Sequence, residues 1–145
     1  MLSKTTKSTS EIAKKFLKEL EGIKNSRRAA VVALSGDLGA GKTTFTKFFA
    51  KHLGIREKVS SPTFVILKKY PLKKRKYKYF YHVDAYRLKN EKELLHLGWE
   101  EIINNKEHLI FIEWPENVSK VIPRGAKKIK ISHVKDDHRD FKFKK

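Results

Sequence analysis

The sequence predicts an α/β fold in one domain spanning residues 1–145. Three observations carry that expectation. A continuous apolar run, Ala29-Ala30-Val31-Val32-Ala33-Leu34, is followed at once by a glycine-rich turn and then by a helical pattern. A second apolar run, Leu109-Ile110-Phe111-Ile112, has the length of a strand buried on both faces. Near the C-terminus, Lys128-Ile129-Lys130-Ile131 and Phe141-Lys142-Phe143 alternate with period two around a polar turn at Asp136-Asp137, the pattern of a closing antiparallel hairpin.

The remaining elements follow from local chemistry. Ser10 stands as an N-cap before Glu11, and Ile12, Ala13, Phe16, Leu17, Leu20 and Ile23 recur at helical spacing, so an amphipathic helix is expected from Glu11. Asn25 to Arg28 forms a polar break. Lys42 to Leu53 reads as a helix with Phe45, Phe48, Phe49 and Leu53 inward, ended by Gly54. Thr63 to Leu67 and Tyr77 to Val83 are rich in β-branched and aromatic residues and are expected to be neighbouring strands with Pro71 between them. Glu91 to Leu97 and Trp99 to Ile103 suggest short helices interrupted by Gly98, and the tail Lys142 to Lys145 is expected to fray.

Composition narrows the chemistry. The chain contains no cysteine, which excludes disulfides, thiolate nucleophiles and cysteine-based zinc sites. Its six histidines show no metal-ligand spacing such as HExxH. No apolar run has the roughly 18 to 20 residues of a membrane span, and Met1-Leu2-Ser3-Lys4 lacks the apolar stretch of a secretory signal, so a cytoplasmic location is expected. A net charge of +18 suits a polyanionic partner such as RNA; lysines scattered over every segment equally suit a solvated surface.

Gly36-Asp37-Leu38-Gly39-Ala40-Gly41-Lys42-Thr43 fits GxxxxGK[ST] at every fixed position, between an expected strand and an expected helix. In such a loop the glycines let backbone amides turn inward around phosphates, and the helix N-terminus adds partial positive charge. Lysine reaches the β and γ oxygens, and the threonine hydroxyl faces magnesium. Residues Asp37 to Thr44 are therefore candidate ATP-binding residues, with Lys42 catalytic and Thr43 a metal ligand. Magnesium also needs a carboxylate, and Asp84 and Glu113 each end an expected strand. One would hold the metal and the other orient the attacking water, although a strand-end acid also serves as a helix cap. Ser61 and Thr63 lie where a switch-like loop could cross the γ-phosphate, or where an ordinary Ser-Pro turn opens a strand. Asn105-Lys106-Glu107-His108 lacks the carboxylate of a guanine-reading element, which argues against a GTPase. Trp114 is a candidate for stacking on a base or for packing on the core.

In order along the chain, Gly36 to Thr44, Ser61-Pro62-Thr63-Phe64, His82-Val83-Asp84-Ala85-Tyr86-Arg87-Leu88 and Glu113-Trp114-Pro115-Glu116 resemble the bacterial TsaE family, ATPases of the tRNA threonylcarbamoyladenosine pathway. The resemblance implies a P-loop NTPase-like three-layer sandwich with a central mixed sheet. It also implies slow ATP hydrolysis with Mg2+, alongside the partners TsaD and TsaB, in support of threonylcarbamoyl transfer to a tRNA adenosine. By the same resemblance Lys42 and Thr43 hold phosphate and metal, Thr63 belongs to the switch-like loop, Asp84 and Glu113 serve metal and catalysis, and Trp114 sits beside the nucleotide. Direct contact with tRNA by this chain is left open.

Two other classes use similar features. A small-molecule kinase would share the loop, but lid arginines are few, since only Arg75 and Arg87 lie between Thr63 and Arg124. A nucleic-acid module would use Tyr70, Tyr77, Tyr79 and Tyr81 interleaved with a basic, protruding turn at Lys73-Lys74-Arg75-Lys76.

Overall fold

The computed structural model describes residues 1–23, 27–37, 39–57, 59 and 66–144. In chain order the elements are β1 (Leu2–Ser3), α1 (Thr6–Glu21), β2 (Ala30–Ser35), α2 (Lys42–His52), β3 (Leu67–Pro71), β4 (Tyr79–Asp84), α3 (Lys92–His96), α4 (Trp99–Ile103), β5 (His108–Glu113), a 3-10 helix (Pro115–Val121), β6 (Lys127–Lys135) and β7 (His138–Lys144). They build a mixed seven-stranded sheet in the order β1-β7-β6-β2-β5-β4-β3. The four central strands run parallel, whereas β3 pairs antiparallel with β4, and β7 with both β6 and β1.

Both sheet faces are covered, which explains why the runs Ala30 to Leu34 of β2 and Leu109 to Ile112 of β5 are continuously apolar instead of alternating. Val32, Leu34, Phe80, Leu109, Phe111, Ile129 and Ile131 pack against α1 and α2 on one face. Val31, Ala33, Tyr81, Val83, Ile110 and Ile112 pack with Leu94, Trp99 and Val118 on the other. The α1/α2 layer is dominated by aromatics: Phe49 lies 4.3 Å from Phe111 between ring centroids, and Phe45 stacks on Phe111 at 6.3 Å. These contacts fix the first two turns of α2, and with them the glycine-rich loop that leads into it.

The structure moves several boundaries. Helix α1 begins at Thr6 and is capped by Thr5, whose hydroxyl accepts from the Ser8 amide at 3.1 Å. Ser10 lies inside the helix and hydrogen-bonds His52 at 3.0 Å. The first turn buries Thr9 on Ser3, at 2.7 Å, so apolar periodicity starts a turn later than the helix. Strand β3 runs from Leu67 to Pro71, later than expected; as an edge strand it tolerates a proline that cannot donate to a ladder. The segment 60–65, with Ser61 and Thr63, lies outside the described residues, as does Leu38. The tail does not fray through Lys144, which pairs with Lys128. Strand β1 was not foreseen: two residues suffice because the chain's amino group donates to the Phe141 carbonyl at 2.7 Å.

Candidate active site at the carboxyl edge of the parallel strands

Leu34 of β2, Glu113 of β5 and Asp84 of β4 share one register row across three parallel strands. The glycine-rich loop leaves β2 two residues beyond that row, so loop and acids meet at the carboxyl edge of the sheet, where open α/β sheets bind ligands. Alternation along β4 puts Phe80, His82 and Asp84 on the face that carries α2. The same alternation along β5 puts Phe111 and Glu113 there.

The loop requires its glycines for two different reasons. Gly36 has φ of 144°, and a Cβ there would lie 2.3 Å from the Ile131 carbonyl oxygen of β6, so no side chain fits. Gly41 precedes α2 in the left-handed region, at φ of 105°. No side chain caps α2 and no acid occupies its first turn, so its leading amides have no partner within the helix. Asp37 and Gly39 are exposed, Ala40 is buried with its amide donating to the Asp37 carbonyl at 3.0 Å, Thr43 is half-buried and Thr44 exposed.

Lys42 is only 5% exposed. Its ammonium donates to the Gly36 carbonyl and lies 3.7 Å from the centroid of the Trp114 ring. Burial pushes its pKa below the usual 10.5, against the opposing pull of the carboxylates of Glu113, Glu116, Asp84 and Asp37. Trp114 can reach the lysine because its backbone is left-handed, at φ of 58°, an uncommon state for an aromatic residue and one that turns the chain sharply after Glu113. Tyr86 flanks the same indole at 5.1 Å.

The two acids are held differently. Glu113, 3% exposed, accepts from Nε2 of the fully buried His82 at 2.7 Å. Nδ1 of His82 has no hydrogen-bond partner among the described residues. Asp84 is half-buried, and its Oδ1 accepts the Tyr86 amide at 3.0 Å, closing a tight turn. Asn117 ties that turn down by donating to the Ala85 carbonyl at 2.9 Å and the Tyr86 carbonyl at 3.2 Å. Sequence reasoning assigned no role to His82 or Asn117. For His82 a signal existed, because it stands two residues before Asp84 in a strand and so shares its face.

The basic turn is exposed, but two of its cations are tied to the helix layer. Arg75 pairs with Glu21 at 3.1 Å and donates to the His52 carbonyl at the end of α2, Lys76 donates to the Ile23 carbonyl just beyond α1, and Lys78 pairs with Glu107 at 2.8 Å. The buried Tyr77 donates to the Leu20 carbonyl at 3.2 Å. The Arg75 guanidinium on the last carbonyl of α2 complements the negative end of that helix's dipole, so Arg75 ties this turn to the helix layer. Arg75→Ala is expected to cost about 1 kcal/mol and lower Tm by about 2–4 °C, read by thermal unfolding, with nucleotide affinity unchanged.

Among the described residues no group of three or more His, Cys, Asp or Glu side chains could hold a metal by itself, and no helix is long and apolar enough to cross a membrane. The family of the threonylcarbamoyl adenosine biosynthesis protein TsaE matches residues 3–141. The chain belongs to the TsaE family. It is 41% identical over 118 residues to the tRNA threonylcarbamoyladenosine biosynthesis protein TsaE of Bacillus subtilis, covering 78% of this chain and 68% of that relative. With the protein of the same name from Rickettsia prowazekii it shares 39% identity over 117 residues, 80% of this chain and 74% of the relative. The crystal structure of Bacillus subtilis YdiB superposes with a TM-score of 0.74 at 30% identity, covering 99% of this chain and 82% of that one. The family places the chain in tRNA threonylcarbamoyladenosine biosynthesis, and the mixed α/β sheet agrees with the solved neighbour.

Proposed function

We propose that the chain binds and hydrolyses magnesium ATP, and that this turnover supports threonylcarbamoyl transfer to a tRNA adenosine by TsaD and TsaB partners. The observation that carries the reading is the junction of a glycine-rich loop, a buried lysine and two strand-end acids in one register row. The donor chemistry suits magnesium: Thr43, Asp84 and Glu113 offer hard oxygens, too few for an all-protein cage, as expected for an ion that keeps waters and phosphate oxygens as ligands. When bound with nucleotide, the ion would neutralise charge on the β and γ oxygens.

The chain's own residues divide the remaining work. Amides from Asp37 to Thr44 and the α2 N-terminus receive the phosphates. Lys42, released from the Gly36 carbonyl and the Trp114 ring, balances their charge as it builds in the transition state. Thr43 and one of the two acids hold the metal; the other acid orients water for in-line attack. Trp114 lies against the lysine, beside the bound nucleotide.

Calorimetry with MgATP, together with phosphate release, tests the ATPase reading; absence of both heat and product would end it. The partners are tested separately by affinity recovery of TsaD and TsaB homologues with and without ATP. Lys42 binds phosphate only as the ammonium, and its pKa in the free protein is lowered. Affinity is therefore expected to fall as pH rises through that lowered value, by up to about tenfold per pH unit and earlier than an ordinary lysine would dictate. Calorimetric titrations across the alkaline range measure it.

A further inference from the structure

The charge around the glycine-rich loop does not match the charge of the whole chain. Four carboxylates, of Glu113, Glu116, Asp84 and Asp37, all act on the buried ammonium of Lys42, although the protein carries a net +18. A magnesium nucleotide adds further negative charge, so the site needs another cation within reach of the phosphates.

The β6–β7 hairpin brings one. It flanks the loop at both ends: the Ile131 carbonyl of β6 abuts Gly36, and Arg139 of β7 crosses Gly41. A Cβ at Gly41 would sit 3.3 Å from Arg139 Nε, 3.7 Å from Cδ and 3.8 Å from Cγ, so the arginine stem lies along the backbone that opens α2. That contact is with a side chain that can give, so glycine is favoured there by its φ of 105°. The guanidinium is tethered at one corner, Nη1 donating to the Asp136 and His138 carbonyls at 3.1 Å each. Nε and Nη2 donate to no described residue, and Arg139 is half-buried. A partly spent, pre-aimed fork beside an anion-binding loop is the arrangement in which arginine recognises phosphate.

The geometry points to Arg139 as a second phosphate-binding cation, reaching across Gly41 to the polyphosphate of the bound nucleotide. This rests on the ATP-binding reading and adds to it a residue some hundred positions from the loop motif. A purely structural arginine, used only to tie the hairpin turn, would be indifferent to ligand.

The test compares calorimetric affinities of the full chain and its variants for MgATP and for inorganic tripolyphosphate with magnesium, beside ligand-free melting curves. In Arg139→Gln the amide can still donate to the turn carbonyls, but the charge is gone. Both affinities are expected to fall about 10- to 100-fold with ligand-free melting little changed, and Arg139→Lys is expected to recover part of the loss. Unchanged affinities in Arg139→Gln would overturn the inference. So would a loss confined to MgATP, which would put the arginine on base or ribose. A loss that merely follows a lowered melting temperature and recurs in full in Arg139→Lys would also overturn it. Failure of the unmodified chain to bind either ligand would instead strike the ATP reading itself.

Discussion

Lys42→Ala is expected to lower ATP turnover by about 10³-fold while leaving a folded chain. The carboxylates of Glu113, Glu116, Asp84 and Asp37 all act on this ammonium, and burial strengthens each interaction it makes by excluding water. A preorganised charge acting on developing negative charge contributes far more to the transition state than to ground-state binding, so turnover suffers more than affinity. Stability behaves differently. The substitution removes a cation–π contact worth about 0.5–2 kcal/mol and a hydrogen bond worth about 1, but it also relieves the cost of burying an ammonium. A net change within about 2 kcal/mol follows, because α2 is anchored by Phe45 and Phe49 and not by the lysine. Phosphate release and thermal unfolding on the same preparation separate the two effects. Turnover at the original rate would remove Lys42 from the chemistry and the ATPase reading with it.

What could be read from the residues depended on how local each feature is. Strand β2, the start of α2 and β5 were legible because their apolar runs and the glycine spacing encode backbone geometry within a dozen positions. The C-terminal hairpin was legible from period two, and Gly98 did mark the break between α3 and α4. Asp84 and Glu113 could be singled out as strand ends, but their meeting in one row depends on a register that no single strand reveals. His82 escaped for the same reason, since its contact with Glu113 crosses two strands. Arg139 lies beside Gly41 only because the hairpin returns beside β2, a consequence of topology. The ties of the basic turn were not legible because the carbonyls that Arg75 and Lys76 reach, at the ends of α2 and α1, lie far from it in sequence. Polar helix starts mislead: Thr9 looks exposed in sequence and is buried on Ser3.

The two acids should part company when each loses only its charge. Glu113→Gln keeps an oxygen that can still accept from His82 Nε2, so the buried pair stays hydrogen-bonded and stability should change by only about 1 kcal/mol. Asp84→Asn likewise keeps the oxygen that accepts the Tyr86 amide, and Asn117 continues to hold the turn. Turnover is expected to fall about 10²- to 10³-fold in Glu113→Gln. Nucleotide affinity should hold or rise, because one negative charge facing the phosphates is gone. The magnesium requirement then distinguishes the roles. Loss of a metal ligand raises the magnesium concentration needed for half-maximal turnover, whereas loss of a water-orienting carboxylate lowers the rate at saturating magnesium and leaves that midpoint where it was. Glu113 is the better fixed of the two, buried and hydrogen-bonded to the fully buried His82, which suits a group that must hold one orientation toward water. Asp84 is half-buried on the turn that follows β4, where its carboxylate is more open than that of Glu113 to an ion arriving with nucleotide. The expected pattern is a shifted magnesium midpoint in Asp84→Asn and a depressed maximum in Glu113→Gln. The reverse pattern would exchange the two assignments, and full activity in Glu113→Gln would leave the buried His82–Glu113 pair a structural feature.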